Sequence, residues 1–143
     1  MTWKENMSSD PIEPYSFQKL SCEFACKAWF ECYDLPTTVF RFFQVYGENQ
    51  RKDTAISKFI QSKKEGKPIT LVETTAQSSF KTGRRDFIYV KDLAKFIVDV
   101  LDNENSFKND FNISGKSPLT FNQIIKEISD ILNKRPFKIY LPY

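Results

Sequence analysis

The 143 residues contain no histidine, three cysteines and four glycines. Without histidine there is no imidazole base, so a Ser-His-Asp triad and its relatives are excluded. Cys22, Cys26 and Cys32 fall in one short stretch, and a single helix cannot wrap three thiolates round a tetrahedral zinc ion. The expectation is no metal site, and buried or half-buried thiols in a reducing compartment. Gly47, Gly66, Gly83 and Gly115 stand too far apart to build a Gly-rich phosphate cradle. No apolar run approaches the ~18 residues of a membrane span, and the polar start, MTWKENMSSD, offers no signal-peptide core. A cytoplasmic location is expected. The net charge is only +3 and is scattered. Its densest group, Lys63, Lys64 and Lys67, reads as a solvated helix end and not as a nucleic-acid patch.

What is present is core material. Hydrophobic residues make up 41% of the chain and 14 residues are phenylalanine, a globular composition. Apolar residues at Phe17, Leu20, Phe24 and Ala28 step by three and four, so a helix is predicted over Tyr15 to Tyr33. Thr37 to Val45 is β-branched and aromatic and reads as one buried strand. A helix with Asp53 as N-cap runs to about Lys64 and stops at Gly66. Short extended segments are predicted at Ile69–Val72, Asp86–Val90, Phe111–Ser114 and Phe137–Leu141. Polar loop chemistry fills Thr74–Gly83. Helices are predicted at Lys91–Leu101 and Thr120–Leu132. Alternation of this kind argues for an α/β protein with a mostly parallel sheet.

Three features carry chemical interest. Tyr15 and Lys19 stand four apart and so share a helix face. A neighbouring ammonium favours the phenolate form of a tyrosine, which would make Tyr15 a proton shuttle in a chain without histidine. The plainer reading is a surface pair with the lysine stem over the ring. Gln44 falls at the end of a predicted strand, where ligands of open α/β sheets bind; Phe42, Phe43 and Tyr46 beside it read mainly as core and rim aromatics. Arg84 and Arg85 follow Gly83, and a guanidinium fork matches phosphate oxygens. A surface ion pair of Arg85 with Asp86 or Asp92 is the alternative.

In this order and spacing, the motifs resemble the extended short-chain dehydrogenase/reductase family, the NAD-dependent sugar-nucleotide epimerases and dehydratases. Pro14-Tyr15-Ser16-Phe17-Gln18-Lys19 resembles the family's P-Y-x-x-x-K segment. Arg41 to Gly47 resembles R-x-x-N-V-Y-G, Gly83 to Asp92 resembles the R-D-F-I-Y-V-x-D element, and Phe111 to Gly115 resembles F-N-I-G-x-G. The resemblance covers Glu13 to Leu132. It implies the C-terminal part of a Rossmann-like doubly wound parallel sheet plus part of a small α/β substrate-binding domain. Residues 1–47 and 87–115 would belong to the NAD-binding domain, and 48–86 and 116–143 to the substrate domain. Tyr15 would be the catalytic acid/base, and Lys19 would hold the nicotinamide ribose. The Phe42–Phe43 backbone would lie by the nicotinamide. Gln44 and Arg85 would hold a nucleotide-sugar substrate, Arg85 through its diphosphate.

The chain departs from that pattern in places. Gln44 replaces the family's usual asparagine, adding a methylene to the reach of the amide. Glu48 stands where the family often has proline, bringing a negative charge near a site for anions. The N-terminal G-x-x-G-x-x-G has no counterpart, and Thr2 is too near Tyr15 to serve as the family's catalytic hydroxyl. These departures lead to the expectation of a partial enzyme, inactive by itself, with apolar faces of its first helix and strand exposed. A homodimer through the 15–33 helix is expected from the resemblance. The alternative is a non-catalytic module that complements or dimerises with another subunit.

Overall fold

The computed structural model describes residues 3–74 and 82–142. Thr2 and most of the Thr74–Gly83 loop lie outside them. The chain is α/β and divides into two compact units, one of 1–43 with 91–113 and one of 44–90 with 114–143.

In the first unit, helix α1 (Pro14–Tyr33) begins with proline at its first position, where the missing N–H costs nothing. Glu13 caps it, accepting from the backbone N–H of Tyr15 at 2.9 Å and of Ser16 at 2.6 Å. Asp34, in the left-handed conformation, closes it by donating its N–H to Phe30 O. Strand β1 (Val39–Phe42) pairs in parallel with β6 (Asp110–Ile113), Val39 opposite Asp110 and Phe42 opposite Ile113. Helix α3 (Val90–Val100) sends Phe96 against Phe40, edge to face at 5.6 Å, and Phe40 also meets Phe111 at 6.2 Å.

The second unit holds strands β2 (Gln44–Tyr46) and β5 (Phe87–Tyr89), paired in parallel, with Gln44 opposite Phe87. Helix α2 (Ala55–Glu65) leads to β3 (Ile69–Val72), which pairs in parallel with β8 (Lys138–Leu141). The short β4 (Arg84–Arg85) runs antiparallel to β7 (Leu119–Thr120). Helix α4 (Phe121–Ile131) opens with a capping box formed by Thr120 and Gln123. Its Ile124 and Ile125 meet Phe59 of α2 and Ile69 and Leu71 of β3 in the buried core. Ile125 is fully buried and Ile69 nearly so, each worth about 1.5–3 kcal/mol relative to exposure.

Several sequence expectations need correction. The single strand expected over 37–45 is two strands: Phe43 N–H donates to Ile113 O, whereas Gln44 N–H donates to Asp86 O. Thr54, not Asp53, occupies the α2 N-cap, and the Asp53 carboxylate pairs with the Arg51 guanidinium instead. Lys63 is not solvated but 3% exposed. The thiols are also less buried than expected, with Cys22 and Cys32 exposed and Cys26 intermediate. On α1, Leu20 and Phe30 are half-buried, while Phe17, Phe24, Trp29 and Tyr33 are exposed.

Among the described residues no helix is long and apolar enough to cross a membrane, and no cluster of three or more His, Cys, Asp or Glu residues could hold a metal ion.

Candidate functional site

Four of the residues singled out by sequence come together in the first unit. Tyr15, Lys19, Phe42 and Phe43 line one open cavity of about 470 Å³. Helix α1 supplies the first two from adjacent turns, and the end of β1 supplies the others. The Lys19 ammonium lies 5.4 Å from the centroid of the Tyr15 ring, within cation–π range. Tyr15 is 65% exposed, so its hydroxyl is accessible to a ligand. Helix N-terminal geometry fixes its backbone through Glu13. The Ser16 hydroxyl, then the Ser16 and Tyr15 N–H groups, hold the Glu13 carboxyl below its ordinary range.

Beneath the cavity lies an ion network that fixes α1 on the strand pair. Arg41 donates to both Glu23 oxygens, at 2.9 and 2.6 Å, and to Asp110 at 2.9 Å. Lys27 closes the network on the same Asp110 oxygen at 2.9 Å. The Glu23 hydrogen bond, despite burial, keeps the guanidinium more firmly protonated than usual. Bidentate geometry of this kind gives direction as well as attraction. Arg41 therefore orients the helix that carries Tyr15 and Lys19.

In the second unit, Gln44 and Arg85 line a small cavity of about 130 Å³ with Gln50, Thr54, Phe87 and Phe121. Arg85 also borders a larger one of about 950 Å³, walled by α2 and β3 and by Phe121. Neither ion pair expected as the alternative for Arg85 is present. Its Nη1 donates to Arg84 O at 2.9 Å, while Asp86 accepts from Gly115 N–H at 2.9 Å. Among the described residues no carboxylate neutralises Arg85, which leaves its charge available to an anion. The Glu48 carboxylate accepts from the Tyr89 hydroxyl at 2.9 Å through each oxygen.

Two motif glycines are required by packing. A Cβ on Gly115 would collide with Phe87 O, and one on Gly47, at φ +150°, would collide with Val90. The sequence reading missed Trp3, which lines the Tyr15 cavity, and Phe121 and Gln50, which line the Arg85 cavity. No local pattern marks these three, since each reaches its cavity by tertiary placement.

The model of the NAD dependent epimerase/dehydratase family matches residues 2–114. An uncharacterised UDP-glucose epimerase, YtcB of Bacillus subtilis (strain 168), is 32% identical over 131 residues, covering 92% of this chain and 40% of that protein. A crystal structure of UDP-glucuronic acid 4-epimerase from Bacillus cereus, in complex with UDP-glucuronic acid and NAD, superposes with a TM-score of 0.84 at 30% identity. It takes in 99% of this chain and 44% of the other. The dTDP-glucose 4,6-dehydratase of Bacillus anthracis, in complex with NAD, gives a TM-score of 0.83 at 25% identity over 99% and 43% of the two chains. The 143 residues thus span about two fifths of the length of these relatives. With the motif residues assembled as described and the family model matching most of its length, the chain belongs to the NAD-dependent epimerase/dehydratase family.

Proposed function

We propose that these residues form the catalytic and substrate-binding part of an NAD-dependent nucleotide-sugar epimerase or dehydratase. The observation that supports it most is the sharing of one accessible cavity by Tyr15, Lys19, Phe42 and Phe43. Tyr15 exchanges a proton with a sugar hydroxyl, and Lys19, beside its ring, would hold the nicotinamide ribose. When bound, NAD supplies the hydride acceptor and donor at the sugar carbon. The Phe42–Phe43 backbone would border the nicotinamide. Epimerisation and dehydration both call for this Tyr15 proton transfer.

Residues 1–47 and 87–115 are assigned to the NAD-binding domain, and 48–86 and 116–143 to the substrate domain. Gln44, near the end of the 1–47 segment, and Arg85, in the substrate domain, hold the nucleotide-sugar, Arg85 through the diphosphate, to which its unneutralised guanidinium is suited. The four glycines build no phosphate cradle, so the 143 residues by themselves do not grip a dinucleotide and are inactive alone.

Calorimetric titration of the chain tests this reading. UDP-glucose should bind saturably and Arg85→Ala should weaken it at least tenfold, while NADH should show no saturable binding. Absence of nucleotide-sugar binding in a folded sample would sink the proposal.

A second reading concerns assembly. Phe17 and Phe24 are exposed on one side of α1 and Trp29 and Tyr33 on another, and this exposed apolar surface suits a homodimer through residues 15–33. Sedimentation equilibrium decides it: a monomer at all concentrations would exclude this mode.

A further inference from the structure

The segment preceding α1 contributes directly to the Tyr15 cavity. Trp3, Met7, Ser8, Asp10 and Pro11 line that cavity beside Tyr15 and Lys19. Being mostly polar and outside any helix or strand, the segment has little intrinsic reason to stay there. A local turn shapes it, with Met7 N–H donating to Lys4 O at 3.2 Å. One residue then tethers it to the strands: Asn112 N–H of β6 donates to Glu5 Oε1 at 3.0 Å. Arg41 Nη1 of β1 donates to Glu5 O at 3.2 Å. Among the described residues, no other residue of 3–12 hydrogen-bonds to either strand.

We propose that Glu5 is a positioning residue, whose side chain clips the Trp3–Pro11 segment onto β6 so that it forms one wall of the Tyr15–Lys19 cavity. What that cavity does rests on the function proposed above; the clip itself does not. The charged groups around Glu5 are Arg41 from β1, Glu23 and Lys27 from α1 and Asp110 from β6, all bordering one polar cavity with it. Arg41 is already engaged by Glu23 and Asp110, so the Glu5 side chain depends chiefly on the Asn112 N–H. That bond, then the residue's own N–H, holds the carboxyl below its ordinary 4.5. The sign follows: the clip is fully in place above the ordinary carboxylate value and is lost as pH falls through the lowered one.

Two tryptophans are present, so Trp29→Phe leaves Trp3 as the sole indole reporter. Its fluorescence anisotropy, read beside far-UV circular dichroism, tests the clip without any nucleotide. In the Trp29→Phe background, Glu5→Ala should lower the anisotropy by roughly half at neutral pH, as nanosecond segment motion sets in. Glu5→Gln offers Asn112 only a neutral acceptor, as the protonated carboxyl does, so its anisotropy should sit near the acid value of unmodified Glu5 at every pH and show no fall on acidification. Unchanged anisotropy in Glu5→Ala with helix content intact would overturn the proposal. So would an acid-induced fall that persists in Glu5→Gln.

Discussion

The Lys63 ammonium, buried in the second unit, donates to the main-chain carbonyl of Arg135. The residue before Arg135 returns the contact, with Lys134 Nζ donating to Lys63 O at 3.1 Å and Lys64 O at 2.9 Å. This reciprocal pair ties the C-terminus of α2 to the turn before β8, and β8 in turn pairs with β3, a wall of the Arg85 cavity.

Burial, then the charges of Lys134 and Lys138, push the Lys63 amine below its ordinary 10.5. The unfolded chain therefore binds more protons between the lowered value and 10.5, so stability should rise as pH climbs through that window. Thermal melts across alkaline pH should show the rise, and Lys63→Met should abolish it. At neutral pH the same substitution should change stability by no more than about 1 kcal/mol, because the lost hydrogen bond is offset by relief of a buried charge.

Arg41 faces Glu23 and Asp110, and side-chain exposure in the trio is 25%, 17% and 12%. Arg41→Met should strand Glu23, leave Asp110 with Lys27 as its remaining cationic partner, and cost about 2 kcal/mol, more than an exposed pair would. A double-mutant cycle with Glu23→Gln should return a coupling above 0.5 kcal/mol in magnitude, roughly the floor for groups in contact. Additive effects would mean that the network does not orient α1.

Glycine substitution should separate packing from backbone conformation. Gly115→Ala drives a Cβ into Phe87 O, while Gly66→Ala meets nothing within 4 Å and pays only for its φ of +70°. Denaturant melts should give about 1 kcal/mol for Gly66→Ala and more than about 2 kcal/mol for Gly115→Ala. Equal costs would contradict the packing argument.

Periodicity made the helices legible: α1 and α4 fall within a residue or two of their expected bounds, and the glycine after α2 ends it. The resemblance identified Tyr15 and Lys19, and one helix face then brings them together. Other features had no local signal. Phe43 and Gln44 continue one β-rich run, yet adjacent N–H groups choose different partners, which only tertiary pairing decides. Arg84–Arg85 became a strand through pairing with Leu119–Thr120, far along the chain. Lys63 looked solvated because a lysine's burial depends on a carbonyl some seventy residues away.

The central claim is that Tyr15 carries proton transfer in nucleotide-sugar chemistry. The most direct test grafts this chain onto the Bacillus subtilis relative in place of the matching region, supplying the dinucleotide cradle. Turnover of UDP-glucose is then followed with and without Tyr15→Phe. The account predicts turnover that falls about 10²–10⁴-fold in Tyr15→Phe, with NADH binding by the graft retained. Turnover undiminished by Tyr15→Phe would contradict it.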